Sequence, residues 1–97
     1  MTEHTVVRVV IVTNPQGLHA RPADMFVKTA CQYKSKIEVV KDNERIDGKS
    51  ILNILTLAAT EGTELRIEAT GPDAEAALEA LAELVRINFA ETDIPGS

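Results

Sequence analysis

The sequence predicts an α+β fold, an open-faced two-layer β-sandwich of order βαββαβα, with a four-stranded antiparallel sheet and three helices on one face. Segments with the two-residue period of strands alternate along the chain with segments of helical period. Charged residues stand among the strand residues at Arg8, Glu38, Arg66 and Glu68. This pattern is typical of a sheet that packs helices on one face and leaves its other face in water.

The first half of the chain contributes three strands and one helix. A strand over Val6–Val12 is dense in β-branched residues, which favours a central position in the sheet. A helix over Pro22–Tyr33 follows, because apolar residues recur there at helical spacing and proline is tolerated in a first turn. Strands over Lys36–Lys41 and Glu44–Asp47 flank the turn signal at Asp42-Asn43.

The second half contributes two helices and the last strand. Ser50 is a candidate N-cap for a short apolar helix over Ile51–Ala59, which should end near Gly62. Alternating apolar and polar residues around Ile67 predict the fourth strand. Strand one should pair with strand four, and strand two with strand three. Asp73 is a candidate N-cap of the last helix, whose buried face is expected to comprise Ala74, Ala77, Leu78, Leu81 and Val85.

Length and charge restrict the class of protein. The chain has 97 residues, enough for a single domain, which we expect to have a core of about residues 5–90 and a frayed tail over 91–97. A formal charge of −5 argues against a nucleic-acid partner, since phosphate binding needs a basic surface. Neither a signal peptide nor a stretch of about 20 apolar residues is present, so no membrane insertion is expected.

Cysteine and histidine usage adds four further expectations. The lone Cys31 cannot form an internal disulfide, so we expect a cytoplasmic protein in which this thiol is a small buried group on the first helix. No group of histidines, cysteines and carboxylates has the spacing of metal ligands, so we expect no metal. His4 has no turn of proline and glycine and no arginine beside it, and it is expected to be a disordered terminal residue.

The segment Asn14–Pro22 carries the chemistry. A turn built on Pro15 and Gly17 delivers His19 to the start of the first helix, and Arg21 follows two residues later. A neutral imidazole is a nucleophile, the N–H groups of a helix start bind anions, and a guanidinium binds phosphate oxygens. The alternative is an ordinary histidine in a capping loop beside a solvated arginine. The combination of turn, arginine and prolines favours a histidine that accepts a phosphoryl group.

This segment resembles the active-site segment of the HPr family, the histidine-containing phosphocarriers of the bacterial phosphoenolpyruvate-dependent sugar phosphotransferase system. A second motif, Gly48–Leu52, and the run Thr60–Thr63 extend the resemblance, which covers residues from about 6 to 89. It implies the open-faced βαββαβα sandwich. It also implies that phospho-enzyme I phosphorylates His19 on Nδ1, that Arg21 supports the phosphoryl group, and that IIA domains receive it. Such a chain is a stoichiometric carrier without independent turnover, needs no cofactor, and is expected to be a monomer.

Ser50 matches the position that a dedicated ATP-dependent kinase, HPr kinase/phosphorylase, phosphorylates in many bacteria. A phosphate at a helix N-terminus is electrostatically favoured, and it would place negative charge beside Ile51 and Leu52. The resemblance therefore implies a regulatory serine and a transcriptional regulator as a further partner. The alternative is that Ser50 is only an N-cap.

The short helix predicts a docking surface. Ile54, Leu57 and Ala58 make one buried side, while Ile51, Leu52 and Leu55 widen the apolar arc beyond what one sheet can cover. The alternative is burial under the last helix or a loop. Positions matching the docking surface of the family add Gln16, Asp24, Met25, Lys28 and Lys49, and Ala20 is expected to belong to the same interface. Asp24 departs from the family, which more often has a small residue there, and a carboxylate would disfavour an anionic partner site.

Two alternatives to the sugar carrier remain open. One is the nitrogen-related paralogue NPr, which the segment Glu68–Pro72 and the acidic, alanine-rich last helix resemble. The other is a regulatory docking module of the same fold that transfers nothing. Gly48–Ile51 resembles the sugar carrier with its regulatory serine, and a docking module has no need of His19 with Arg21. We therefore favour the sugar carrier.

Overall fold

The computed structural model describes residues 4–90 and confirms the predicted βαββαβα fold. The predicted frayed tail, 91–97, lies outside the described residues. The elements are β1 (Thr5–Ile11), α1 (Ala20–Ala30), β2 (Lys36–Lys41), β3 (Glu44–Asp47), α2 (Ile51–Leu57), β4 (Glu64–Thr70) and α3 (Ala74–Arg86).

The four strands form one antiparallel sheet of order β1-β4-β2-β3. The predicted pairs β1–β4 and β2–β3 are confirmed, and pairing of β2 with β4 joins them into one sheet. The prediction that β1 is central is wrong, because it forms one edge and leaves Val7, Val9 and Ile11 exposed. β-Branched residues indicate a strand but do not determine its position in a sheet.

The open face of the sheet carries a network of charges. Nη1 of Arg45 donates to Oε1 of Glu38 at 2.8 Å and to Oε1 of Glu68 at 2.6 Å, and Nε of Arg66 donates to Oε2 of Glu68 at 3.1 Å. Arg8, predicted on this wet face, instead lies opposite the buried Ile67. Its Nη2 donates to Oε2 of Glu79 on α3 at 3.2 Å. The strand alternation places Arg8 on the helix side of β1.

The hydrophobic core lies between the sheet and the three helices. Phe26 of α1, Ile54 and Leu57 of α2, and Ile67 of β4 are buried in one cluster. The predicted buried face of α3 is confirmed at Ala74, Ala77, Leu78, Leu81 and Val85. Because this core fixes α1 and α2 against the same sheet, the starts of both helices are held in place relative to each other.

Two helices end earlier than predicted, which changes the environment of two residues. α1 ends at Ala30, so Cys31 is its C-cap and is exposed, and the prediction of a buried thiol is wrong. α2 ends at Leu57, because Ala58 has a φ of 54° in the left-handed region. Ala58 is therefore exposed rather than buried, and Ala59 enters the core instead.

Asp73 stands at the N-cap position of α3, but its carboxylate makes no capping hydrogen bond. Its two oxygens accept from the backbone N–H of Lys34 at 2.9 Å, from the N–H of Ser35 at 2.9 Å and from Oγ of Ser35 at 2.6 Å. These hydrogen bonds, the hydroxyl of Ser35 first, lower the pKa of Asp73 to about 2. The carboxylate thus binds the α1–β2 loop to the start of α3.

His4 is ordered at its backbone, so the prediction of a disordered residue is wrong. Its carbonyl oxygen accepts from the N–H of Gly71 at 3.1 Å, just beyond the β1–β4 ladder. Its Nε2 lies 3.8 Å from Oε2 of Glu75, and both side chains are exposed. The continuation of strand pairing beyond Thr5 accounts for this order.

Candidate functional site

The loop between β1 and α1 is held by the segment that follows α2. The N–H of Gly17 donates to the carbonyl oxygen of Asn14 at 3.1 Å, and the N–H of Leu18 donates to that of Ala59 at 2.8 Å. Gly17 has a φ of +69°, and a Cβ there would overlap the carbonyl oxygen of Ala59 and lie 2.9 Å from Cα of Thr60. Because glycine has no Cβ, only glycine allows the loop backbone to lie this close to Ala59. This explains why the turn has a glycine at position 17. Leu18 is buried and anchors the loop in the core.

His19 follows this anchor and occupies the N-cap of α1. Its backbone is extended, with φ −140° and ψ 153°, and its side chain makes no capping hydrogen bond. The residue is exposed, so the imidazole is accessible to a macromolecular partner. The N–H groups of the first turn have no partners within an α-helix, which makes this end of α1 suited to an anion.

Ala20, the first residue of α1, has a φ of +50° in the left-handed region. A residue with a Cβ is strained there, at a cost of about 1–3 kcal/mol, and such strain concentrates at functional sites. The sequence gives no sign of it, because alanine has no preference for this conformation. The unusual backbone therefore lies directly between the histidine and the arginine.

Arg21 and Pro22 complete the helix start. Arg21 is exposed at the second position of α1, while Pro22 is buried and packs into the core. No acidic residue lies in the first turn, so the positive end of the helix is not neutralised from within it. The structure thus places His19 and Arg21 together at one positively polarised helix end, as the motif predicts.

The second predicted region is the start of α2. Ser50 is the N-cap, and its Oγ accepts from the N–H of Asn53 at 3.2 Å, which confirms the predicted cap. Ile51 and Leu52 are 38% and 71% exposed, so the apolar arc reaches the surface there. Leu55 is only half-buried and packs against the core.

The other residues of the predicted docking surface divide by exposure. Gln16, Ala20, Asp24 and Lys28 are exposed, whereas Met25 and Lys49 are half-buried. Nζ of Lys28 lies 3.2 Å from Oδ2 of Asp24, one helical turn away. The unexpected carboxylate therefore has a cation beside it, which offsets part of its negative potential.

Lys49 has a structural contact that the sequence does not reveal. Its Nζ donates to the carbonyl oxygen of Tyr33 at 2.7 Å and so joins the loop before α2 to the loop after α1. The exposed Cys31 lies at the same junction, with its Sγ 3.9 Å from the carbonyl oxygen of Lys49. These contacts set the position of Ser50 relative to α1.

Sequence reasoning did not distinguish Asn14 from the rest of the loop. Its side chain is buried, 1% exposed, and Nδ2 donates to the carbonyl oxygen of Gly17 at 2.9 Å. An asparagine at the first position of a turn was the available signal, although such residues usually lie at the surface. Within residues 4–90 no group of three or more potential ligands could hold a metal ion, and no helix is long and apolar enough to cross a membrane.

Comparisons with known proteins agree with this geometry. Residues 6–86 match the family model described as the PTS HPr component phosphorylation site. The chain is 43% identical over 86 residues to a phosphocarrier protein HPr of Treponema pallidum, covering 89% of this chain and 98% of that one. It is 41% identical over 80 residues to one of Neisseria meningitidis, covering 82% and 90%. A crystal structure of HPr from Thermoanaerobacter tengcongensis superposes with a TM-score of 0.87 at 39% identity, covering 90% of this chain and 98% of that chain.

Proposed function

This chain belongs to the HPr family of phosphocarriers of the phosphotransferase system, and on that premise we propose that it carries its phosphoryl group on Nδ1 of His19. The observation that supports this site is the exposed His19 at the N-terminal end of α1, in a loop fixed by Gly17 and Ala59. His4, the other histidine, precedes β1 and lies near the start of α3, but its Nε2 is 3.8 Å from the carboxylate of Glu75 in the first turn of that helix, which opposes a phosphoryl group there.

The transfer requires a neutral imidazole that keeps its proton on Nε2. The lone pair of Nδ1 forms the new P–N bond while the bond from phosphorus to the donor atom breaks, and that electron pair returns to the donor. Only the phosphoryl group changes place, so no redox partner or metal bound to this chain enters the balance. The product carries added negative charge, which Arg21 and the first-turn N–H groups of α1 stabilise. Passing the group onward reverses the same step.

The proposed donor is enzyme I and the proposed acceptors are IIA domains. Both would dock on the surface that joins the starts of α1 and α2. Its exposed apolar centre is Ile51 and Leu52, and its polar border includes Lys28 with Asp24. The full proposed interface comprises Gln16, Ala20, Asp24, Met25, Lys28, Lys49, Ile51, Leu52 and Leu55.

The protein is a carrier, and we propose that it has no turnover of its own, because each chain must receive a phosphoryl group before it can give one. The cytoplasm is the proposed location, consistent with one free cysteine in the chain. A monomer is the proposed state, since the docking surface must accept donor and acceptor in turn. The chain is proposed to act as one domain.

Ser50 is proposed as a regulatory site for HPr kinase/phosphorylase, with a transcriptional regulator as the further partner. Its Oγ already accepts from the N–H of Asn53, so added phosphate oxygens would meet the positive end of α2. A charge of about −1.5 to −2 would then stand beside the exposed Ile51 and Leu52. Docking of an enzyme that uses this apolar centre would be weakened.

The test is incubation of wild type, His19→Ala and His4→Ala with enzyme I, Mg²⁺ and phosphoenolpyruvate, followed by intact-mass measurement. We expect an acid-labile addition of one phosphoryl mass on wild type and His4→Ala, and none on His19→Ala. An addition that persists in His19→Ala would contradict the proposed site. Absence of any addition on wild type would contradict carriage by this system.

A further inference from the structure

Asn14 has the one buried side-chain amide among residues 4–90, and it lies in the loop that presents His19. Its neighbours Thr13, Pro15 and Gln16 are exposed, whereas Asn14 is 1% exposed. Its Oδ1 is buried and has no hydrogen-bond partner among residues 4–90. A buried acceptor without a partner is disfavoured, so this carboxamide requires an explanation other than stability alone.

The carboxamide fixes the orientation of one peptide group. Nδ2 of Asn14 donates to the carbonyl oxygen of Gly17 at 2.9 Å, which is one end of the Gly17–Leu18 peptide. The N–H at the other end of the same peptide donates to the carbonyl oxygen of Ala59 at 2.8 Å. The plane of this peptide is therefore held from both sides, by Asn14 and by the segment after α2.

The fixed peptide immediately precedes the residue that reacts. Leu18 is buried, and its packed side chain restrains the loop backbone at this point. The next residue along the chain is His19. A rotation of the Gly17–Leu18 plane would redirect the Leu18–His19 peptide and with it the imidazole. A small misplacement of a reacting atom lowers the rate of transfer far more than it lowers docking.

From these contacts we infer that Asn14 is a positioning residue for phosphoryl transfer, which holds the Gly17–Leu18 peptide so that His19 meets the donor in a reactive orientation. The inference rests on the proposed function of His19. Asn14 lies in the loop interior, while the apolar centre of the docking surface is on α2. Its loss should therefore reduce kcat for transfer from enzyme I and leave KM nearly unchanged.

The test compares Asn14→Ala, Asn14→Asp and Asn14→Ser with wild type and Val39→Ala. Asn14→Asp keeps the shape and removes the donor, whereas Asn14→Ser keeps a shorter hydroxyl donor. Val39→Ala is the control for lost stability, because Val39 is fully buried on β2, away from the loop. Thermal unfolding of each variant is measured first, and phosphorylation is assayed well below each Tm with a fixed catalytic amount of enzyme I and the concentration of the carrier variant varied.

We expect kcat to fall about tenfold or more in Asn14→Ala and Asn14→Asp and less in Asn14→Ser, with KM within about threefold of wild type. Val39→Ala should keep the wild-type kcat despite a lower Tm. Folded Asn14 variants with the kcat of Val39→Ala would overturn the inference, as would a loss confined to KM. Failure of all three to fold would make Asn14 a determinant of the fold and also overturn it. If wild type accepted no phosphoryl group, the proposed function would have failed first.

Discussion

Replacing Gly17 by alanine perturbs the contact that holds the histidine loop against the segment after α2. The backbone at Gly17 has a φ of +69°, and an added Cβ would overlap the carbonyl oxygen of Ala59 and approach Cα of Thr60 to 2.9 Å. The left-handed conformation costs alanine about 1–2 kcal/mol. Displacing a packed backbone adds about 1–3 kcal/mol, so the free energy of unfolding should fall by about 2–5 kcal/mol.

Gly62→Ala is the matched control. Gly62 also has a positive φ, +91°, but a Cβ there would meet nothing within 4 Å. Gly62→Ala should therefore lower the free energy of unfolding only by the cost of the left-handed conformation. Gly17→Ala should lower it by about 1–3 kcal/mol more. Urea unfolding at equal pH and salt measures both differences. A difference of 1 kcal/mol corresponds to about 4–8 °C in Tm for a chain of this size. Equal losses in the two variants would refute the claim that contact with Ala59 fixes the loop.

Three further predictions concern the N-caps and the docking surface. Ser50→Ala should lower the free energy of unfolding by about 1 kcal/mol in urea titration, because the N–H of Asn53 loses its acceptor; an unchanged midpoint would contradict the cap. Hydrogen bonds lower the pKa of Asp73 to about 2 from an ordinary 3.8, so its stabilising effect is complete above about pH 4 and is lost as the pH falls towards 2. Asp73→Asn should remove the part of the fall in Tm between about pH 4 and pH 2 that is due to this carboxylate. A pH profile of Tm identical to that of wild type would contradict the stabilising role of Asp73. Leu52→Ala should change the free energy of unfolding by less than about 0.5 kcal/mol but raise the KM of the carrier as a substrate of enzyme I. Leu57→Ala should cost about 2–5 kcal/mol of stability because Leu57 is buried. Equal stability losses in the two variants would contradict the difference in burial.

The candidate site could be predicted because its signals are local. His19, Arg21 and Pro22 are adjacent in sequence, and a helix start brings adjacent residues to one end whatever the rest of the chain does. Ser50 as an N-cap is local for the same reason. The order of strands and helices could be predicted because apolar residues recur every two residues in a half-buried strand and about every 3.6 residues in a helix.

What the sequence did not reveal depends on contacts between distant residues. The edge position of β1 is set by pairing of β4 with β2, which no property of Val6–Val12 encodes. Arg8 faces α3 because the register of β1 places it opposite a core residue, Ile67. Asp73 bonds the α1–β2 loop, 38 residues away, instead of its own helix. The proposed positioning role of Asn14 depends on its burial, which the sequence of the turn does not indicate.

His19 is proposed to carry the phosphoryl group on Nδ1, and NMR of the imidazole nitrogens tests this directly. Protein labelled with ¹⁵N would be phosphorylated by enzyme I and phosphoenolpyruvate, and its ring nitrogens observed through long-range ¹H–¹⁵N correlation. From the proposed function we expect phosphorylation to shift the ring signals of His19, with phosphorus coupled to Nδ1, while the ring signals of His4 stay in place. Coupling to Nε2 of His19, or a phosphoryl group on any other residue, would contradict phosphorylation at Nδ1 of His19.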